Sequence, residues 1–248
     1  TTLIPLLSLL NEETIEISGD IVGLLFPIYL SSTPIPVRDF IKKIHFKPEQ
    51  YLFAITTNCG YPGNVDNYLE RLLTKKSKDL DFYHTLKMIS NSPKGLQPSF
   101  MISQNWANTI TEQNILALEK NVQEELDIIS KAIINKERNT GKDTPSSKKG
   151  LKRTINKYLE LPLQWYVERL DAKIGFYTDA ACTGCGVCES VCPSQKIKIK
   201  NGKPLWQDEV RCYYCYACFN FCREQSIMVK NYTHKDGRYH YPDIAAKD

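Results

Sequence analysis

A chain of 248 residues with 42% hydrophobic residues is long enough for one or two domains with ordinary cores. Its net charge of +4 is too slight to argue for nucleic acid, and no basic arm with interleaved aromatics occurs. The longest nearly unbroken apolar stretch, Ile21 to Leu30, contains Gly23 and Pro27 and falls far short of the ~20 residues a bilayer span needs.

The first regular element is Asp20 to Tyr29, a continuous apolar run expected to be a strand buried on both faces. A helix follows, with Thr33 as its cap, prolines 34 and 36 in its first turn and an apolar stripe of Val37, Phe40, Ile41 and Ile44. Tyr51 to Thr57 reads as a second buried strand. The loop Asn58-Cys59-Gly60-Tyr61-Pro62-Gly63 then leads to a helix from Val65 to Leu73. Strands alternating with helices build a parallel sheet with helices on both faces, the α/β class. Ligands of such sheets sit beyond the carboxyl ends of the strands, where the loops from Pro27 to Ser32 and from Thr56 to Gly63 would face one another across a crevice.

A further strand is expected from Leu80 to Met88, then a long loop from Ile89 to Thr111 with Trp106 as a candidate lid or core residue. An amphipathic helix from Glu112 to Glu137 carries Ile115, Leu118, Val122, Leu126, Ile129 and Ile133 and would close one face of the sheet. The polar stretch Asn139 to Gly150 reads as an exposed connection, and a second helix from Leu151 to Leu170 leads to Phe176. The expected division is a domain at 1–138, a linker with connecting helix at 139–175 and a second domain at 176–248.

Eight of the nine cysteines fall in two copies of C-x2-C-x2-C-x3-C: Cys182, Cys185, Cys188 and Cys192, then Cys212, Cys215, Cys218 and Cys222. The copies align at an offset of 30 residues that continues past the cysteines, with Gln195 matching Gln225 and Ile197 matching Ile227. This is one folded unit duplicated. The spacing reads as two [4Fe–4S] clusters. In the two-cluster arrangement the fourth cysteine of each run serves the other cluster, so Cys182, Cys185, Cys188 and Cys222 would hold one, and Cys212, Cys215, Cys218 and Cys192 the other. Zinc fits less well, because two C-x2-C pairs would leave the third and fourth cysteines of each run without a use. Disulfides fit less well too, because no secretory signal opens the chain and one cysteine is left over.

Residues 176–248 resemble a bacterial-type two-cluster ferredoxin, and the first run keeps that family's closing proline, Pro193. The second run has Arg223 there instead. Its added positive charge and N–H beside the first-run cluster would raise that cluster's potential, unless Arg223 points into water with little effect. Tyr213, Tyr214, Tyr216, Phe219 and Phe221 would both pack the small core and exclude water from the second cluster, lowering its potential. The ferredoxin part carries ten Lys or Arg against eight Asp or Glu. Ferredoxins that shuttle freely are mostly acidic and this part is not, so its main electron partner is expected to be on the same chain or not to be a strongly basic docking surface.

Residues 15–75 resemble the flavodoxin fold, with Pro27, Ile28 and Tyr29 at the ring-stacking loop and Thr57, Asn58, Cys59, Gly60 and Tyr61 at the second isoalloxazine loop. The whole resembles the flavodoxin–ferredoxin fusion family. That resemblance implies FMN, single-electron traffic with redox protein partners, and an anaerobic cytoplasm. It also implies a Ser/Thr- and Gly-rich phosphate loop, which this sequence lacks. The expectation is therefore a flavodoxin-like sheet incomplete at its N-terminus, with weak FMN binding, or else a domain that has lost flavin and only docks a larger redox enzyme. Cys59 is given no catalytic role, and the four histidines share no metal-ligand spacing. No GxGxxG fingerprint or acid/base constellation marks a further substrate.

Overall fold

The computed structural model describes residues 1–29, 32–59, 62–63, 65–89, 110–139, 175–229, 238–241 and 244. The chain divides into two compact units, Thr1–Met88 with Ala117–Tyr166, and Ile89–Leu116 with Val167–Asp248.

In the first unit, β1 (Ile15–Glu16), β2 (Ile21–Pro27), α1 (Ile35–Lys43), β3 (Ile44–His45), β4 (Tyr51–Asn58), α2 (Val65–Thr74), β5 (Phe82–Lys87) and α3 (Glu112–Ile134) follow in order. β2, β4 and β5 form a parallel sheet in that spatial order, Ile21 opposite Tyr51 and Phe53 opposite Phe82. β1 and β3 make a separate two-residue parallel ladder. One face of the sheet packs Val22, Leu24, Phe26, Leu52, Ala54 and Tyr83 against Val37, Phe40 and Ile41 of α1 and Leu69 and Leu73 of α2. The other face sets Tyr51, Ile55, Phe82 and Leu86 against Val122, Leu126, Ile129 and Ala132 of α3. The helical stripe expected from the sequence is thus the one that covers this face.

β2 departs from the expectation of burial on both faces. Its burial alternates, with Val22, Leu24 and Phe26 inside while Ile21 and Leu25 are 40% and 60% exposed. β2 is an edge strand, and the apolar side of α3 packs on β4 and β5 instead. Phe53 leans across the same side at Gly23, where a Cβ would lie 2.2 Å from its ring.

Thr33 does not cap α1. The cap position is Pro34, one residue later, and the Thr33 hydroxyl is buried without a hydrogen-bond partner among the described residues. α3 stops at Ile134, short of Glu137, because Lys136 turns left-handed (φ 52°); the Glu137 N–H then donates to Ala132 O at 2.9 Å and the Lys136 N–H to Ile133 O at 3.0 Å. This is the Schellman arrangement, which satisfies the last carbonyls. Asn139, expected to open the linker, is tied to the sheet: its side-chain oxygen accepts from the Tyr83 N–H at 2.8 Å, and its own N–H donates to Asp81 O at 3.1 Å. Trp106 with most of the long loop, and the helix expected at 151–170, lie outside the described residues.

The second unit holds β6 (Phe176–Thr178), α4 (Val187–Ser190), β7 (Ile197–Lys200), β8 (Lys203–Trp206), α5 (Ala217–Asn220) and β9 (Ile227–Val229). β6 pairs antiparallel with β9, and β7 with β8 in a hairpin. Its core is Ile197, Tyr216, Phe219, Ile227 and Val229 together with Cys188 and Cys218. No helix among the described residues is long and apolar enough to cross a membrane.

Candidate metal centre

The 30-residue repeat of the sequence is a repeat of backbone geometry. α4 and α5 begin at Val187 and Ala217 and end at Ser190 and Asn220, the same offset. Gly184 and Gly186 adopt φ values of 71° and 82°, and the matching Tyr214 and Tyr216 adopt 60° and 55°. Gln195 and Gln225 are also left-handed, and each donates its N–H to the carbonyl of the preceding fourth cysteine, Cys192 at 3.0 Å and Cys222 at 2.9 Å. Left-handed turns at these points recur in both loops, between the first and third cysteines of each run and again after the fourth. Non-glycine residues hold such a conformation only when the surroundings enforce it, at a cost of about 1–3 kcal/mol each. Here burial enforces it, since Tyr214 and Tyr216 are both in the interior.

A cavity of about 330 Å³, counting its open mouth, is lined by Cys182, Cys185, Cys188 and Cys222. Three of these come from the first run and one from the second. Gly184 supports one wall so closely that a Cβ there would meet the Gly202 carbonyl oxygen at 2.3 Å. Ile199 and Pro204 of the β7–β8 hairpin also line it. The Cys222 sulfur accepts from the Ser226 N–H at 3.3 Å and lies 3.4 Å from the Ser226 hydroxyl.

The remaining four cysteines also lie together. The charges that act on Cys218 are, in falling order, those of Cys215, Cys212, Cys192 and Cys188, and those on Cys188 are Cys222, Cys185 and Cys182. Burial pushes the Cys188 thiol up to about 11 and Cys215 to about 12, and carries Cys218 upward as well, with neighbouring sulfurs adding to it. Such thiols hold their protons until a metal centre displaces them. The first set is wetter: Cys185 is exposed, while beside the second set Tyr214 and Tyr216 are 4% and 6% exposed and Phe219 is fully buried.

Among the described residues no group of three or more His, Cys, Asp or Glu converges to hold one ion. A tetrahedral zinc would draw its sulfurs to about 3.8 Å from one another, given Zn–S bonds near 2.3 Å. A cuboidal cluster instead offers a separate iron to each thiolate and fits a cavity with four cysteines around its wall.

Ser226, the Gly184–Gly202 approach and the stacking of Phe176 on Trp206 at 5.8 Å are features of the site that the cysteine spacing does not announce. Phe176 and Trp206 do share the 30-residue offset, which is the signal that could have found them.

The loops of the first unit are placed differently. Pro27 ends β2 opposite Thr57 of β4, and the Ile28 N–H donates to Thr57 O at 2.8 Å, joining the two strand ends directly. Tyr29 and Ser32 exchange backbone hydrogen bonds at 3.2 and 2.9 Å. The Asn58 amide donates to Thr85 Oγ1 at 2.8 Å, and Cys59 follows exposed. Gly60 and Tyr61 lie outside the described residues.

Residues 181–227 match the family model of the 4Fe-4S dicluster domain. The segment is a 4Fe-4S ferredoxin domain, and the match, over a stretch that contains the cysteines at 182–222, supports iron–sulfur clusters. No curated protein and no solved structure matches the chain.

Proposed function

We propose that the chain passes single electrons through two [4Fe–4S] clusters, one held by Cys182, Cys185, Cys188 and Cys222, the other by Cys212, Cys215, Cys218 and Cys192. The observation that carries this reading is the cavity in which Cys222 of the second run joins three cysteines of the first. When bound, the clusters supply the one-electron chemistry; the chain ligates them, insulates them and sets their distance from partners.

The assignment is tested by anaerobic purification with iron and sulfide counted, about eight of each being required, and by electron paramagnetic resonance of the reduced protein. Cys222→Ser is expected to alter the signal that Cys185→Ser alters, and Cys192→Ser the signal that Cys215→Ser alters. The opposite pairing would replace crossed ligation with one cluster per run.

A finer form of the proposal couples the clusters to FMN in the first unit. In its favour, the carboxyl ends of β2 and β4 are side by side. Against it, the Asn58 amide is committed to β5, and the backbones of Tyr29 and Ser32 satisfy one another. The described residues there form no donor set for a flavin phosphate, and no electron step is routed through FMN. The alternative is that the first unit docks a larger redox enzyme and binds no flavin. Flavin counted in the same anaerobic preparation separates the two, since stoichiometric FMN excludes the alternative.

A further inference from the structure

The β7–β8 hairpin has two unlike faces. Antiparallel register sets Ile197 opposite Trp206 and Ile199 opposite Pro204 on one face, and Lys198 opposite Leu205 and Lys200 opposite Lys203 on the other. The first face is half-buried to buried, and Ile199 and Pro204 line the cavity of Cys182, Cys185, Cys188 and Cys222. The second face is exposed throughout, with Leu205 at 49%. A single thin ribbon therefore lies between Lys198 and Lys200 and the wetter cysteine set, while Lys203 reaches the Cys182 carbonyl.

This face is expensive to keep. Like charges directly opposite on adjacent strands repel, and Lys200 faces Lys203. Only part of the charge is answered: Lys198 Nζ lies 3.3 Å from a Glu189 carboxylate oxygen, and Lys203 Nζ donates to Cys182 O at 2.8 Å. Lys200 has no hydrogen-bond or ion-pair partner among the described residues. A local conflict that is only partly compensated, placed beside the cysteine-lined cavity, marks a surface shaped by what it meets.

We propose that the outer face of this hairpin docks an acidic electron-carrier protein, with Lys198, Lys200 and Lys203 meeting its carboxylates and Leu205 its apolar centre. The inference rests on the cluster assignment above. Charge complementarity selects the occupant: a compact basic patch around one exposed aliphatic side chain suits a small acidic protein. It lacks the exposed aromatic platform on which single-stranded nucleic acid stacks. In the exchange one electron is lost by the reduced carrier and one is gained behind the hairpin, with no bond or proton changing hands. Exposed Cys185 and the thin ribbon keep that path short.

The test uses the full chain with both clusters loaded and a reduced acidic flavodoxin as the carrier, followed by stopped-flow absorbance across a salt series. Lys200→Glu and, separately, Leu205→Asp are expected to lower the second-order rate constant about tenfold at low salt. Lys200→Glu is also expected to flatten the salt dependence, while Lys131→Glu on α3 leaves both unchanged. Bleaching by dithionite verifies loaded clusters in every variant. A protein that holds no iron defeats the cluster assignment; loaded variants with an unchanged rate and salt slope defeat the docking face alone. Binding of a single-stranded oligonucleotide or of phosphatidylserine vesicles that Lys200→Glu abolishes, with the carrier rate unaffected, also overturns it.

Discussion

The Ser226 hydroxyl lies 3.4 Å from the sulfur of Cys222, and the same residue's N–H donates to that sulfur at 3.3 Å. A ligating thiolate only accepts, so the hydroxyl is the donor, and it is a buried one. The matching position in the first repeat is Lys196, whose ammonium donates instead to Gln207 O at 2.6 Å and to Val210 O. Each fourth cysteine has a serine hydroxyl beside it, but from a different position: Ser226 lies four residues after Cys222, whereas Ser194, 3.6 Å from the Cys192 sulfur, lies two residues after it. Ser226→Ala should lower the potential of the first-cavity cluster; one hydrogen bond of about 1 kcal/mol corresponds, for one electron, to on the order of 40 mV. Arg223 is exposed, so water and salt screen its charge, and Arg223→Pro should shift the same potential by less. A redox titration resolving both clusters checks this, and equal or inverted shifts refute it.

Tyr216 is held left-handed at φ 55° where the first repeat has Gly186 at 82°, and its ring packs on Phe176 at 6.3 Å. Replacement by glycine would relieve about 1–2 kcal/mol of backbone strain. It would also forfeit a buried aromatic side chain, a loss of about 3–5 kcal/mol on the scale of large-to-small core changes. Packing wins. Tyr216→Gly should destabilise the unit by a few kcal/mol, raise the potential of the second-run cluster and speed its bleaching in air. Unchanged air stability, followed at visible wavelengths, would show that this ring is not what excludes water.

Gly184 and Gly202 permit a separation of steric from conformational cost. Both are left-handed, at φ 71° and 69°, yet a Cβ on Gly184 meets the Gly202 carbonyl oxygen at 2.3 Å, while one on Gly202 meets nothing within 4 Å. Gly202→Ala should lose about 1 kcal/mol and still load iron. Gly184→Ala forces backbone from backbone at the cavity wall and should load the first cluster poorly. Iron counted after identical anaerobic reconstitution distinguishes them.

The ferredoxin segment was legible because cysteine spacing is a local property, and the repeat offset exposed the duplication behind it. Strand and helix positions were legible wherever periodicity met a single face, as in α2 and the stripe of α3. What escaped was set by tertiary neighbours. β2 looked buried on both sides because its sequence is apolar throughout, but its place at the edge of the sheet leaves Ile21 and Leu25 outside. Thr33 looked like a cap, but the helix begins one residue too late for its hydroxyl. Glu137 looked helical, but a left-handed Lys136 ends α3 first, at a position where glycine would have given the signal. Ser226 bears on the Cys222 sulfur only through the turn between them, a contact no spacing encodes.

The first unit should respond to alkali through Tyr83. Burial pushes its hydroxyl up to about 12, moderated by the hydrogen bond with Thr56 Oγ1 at 2.9 Å and raised again by the charge of Asp66. The folded state therefore holds this proton more tightly than the unfolded chain, where a tyrosine titrates near 10. The stabilisation is complete below about pH 10 and is lost as pH climbs toward 12, on the order of 2 kcal/mol in all. Tyr51, also raised to about 12, acts in the same direction. Urea midpoints followed by far-ultraviolet circular dichroism should fall between about pH 10 and 11.5, and fall less steeply in Tyr83→Phe, which has no proton to lose. A variant whose midpoint drops as steeply as the parent would remove Tyr83 as the source of the alkaline loss.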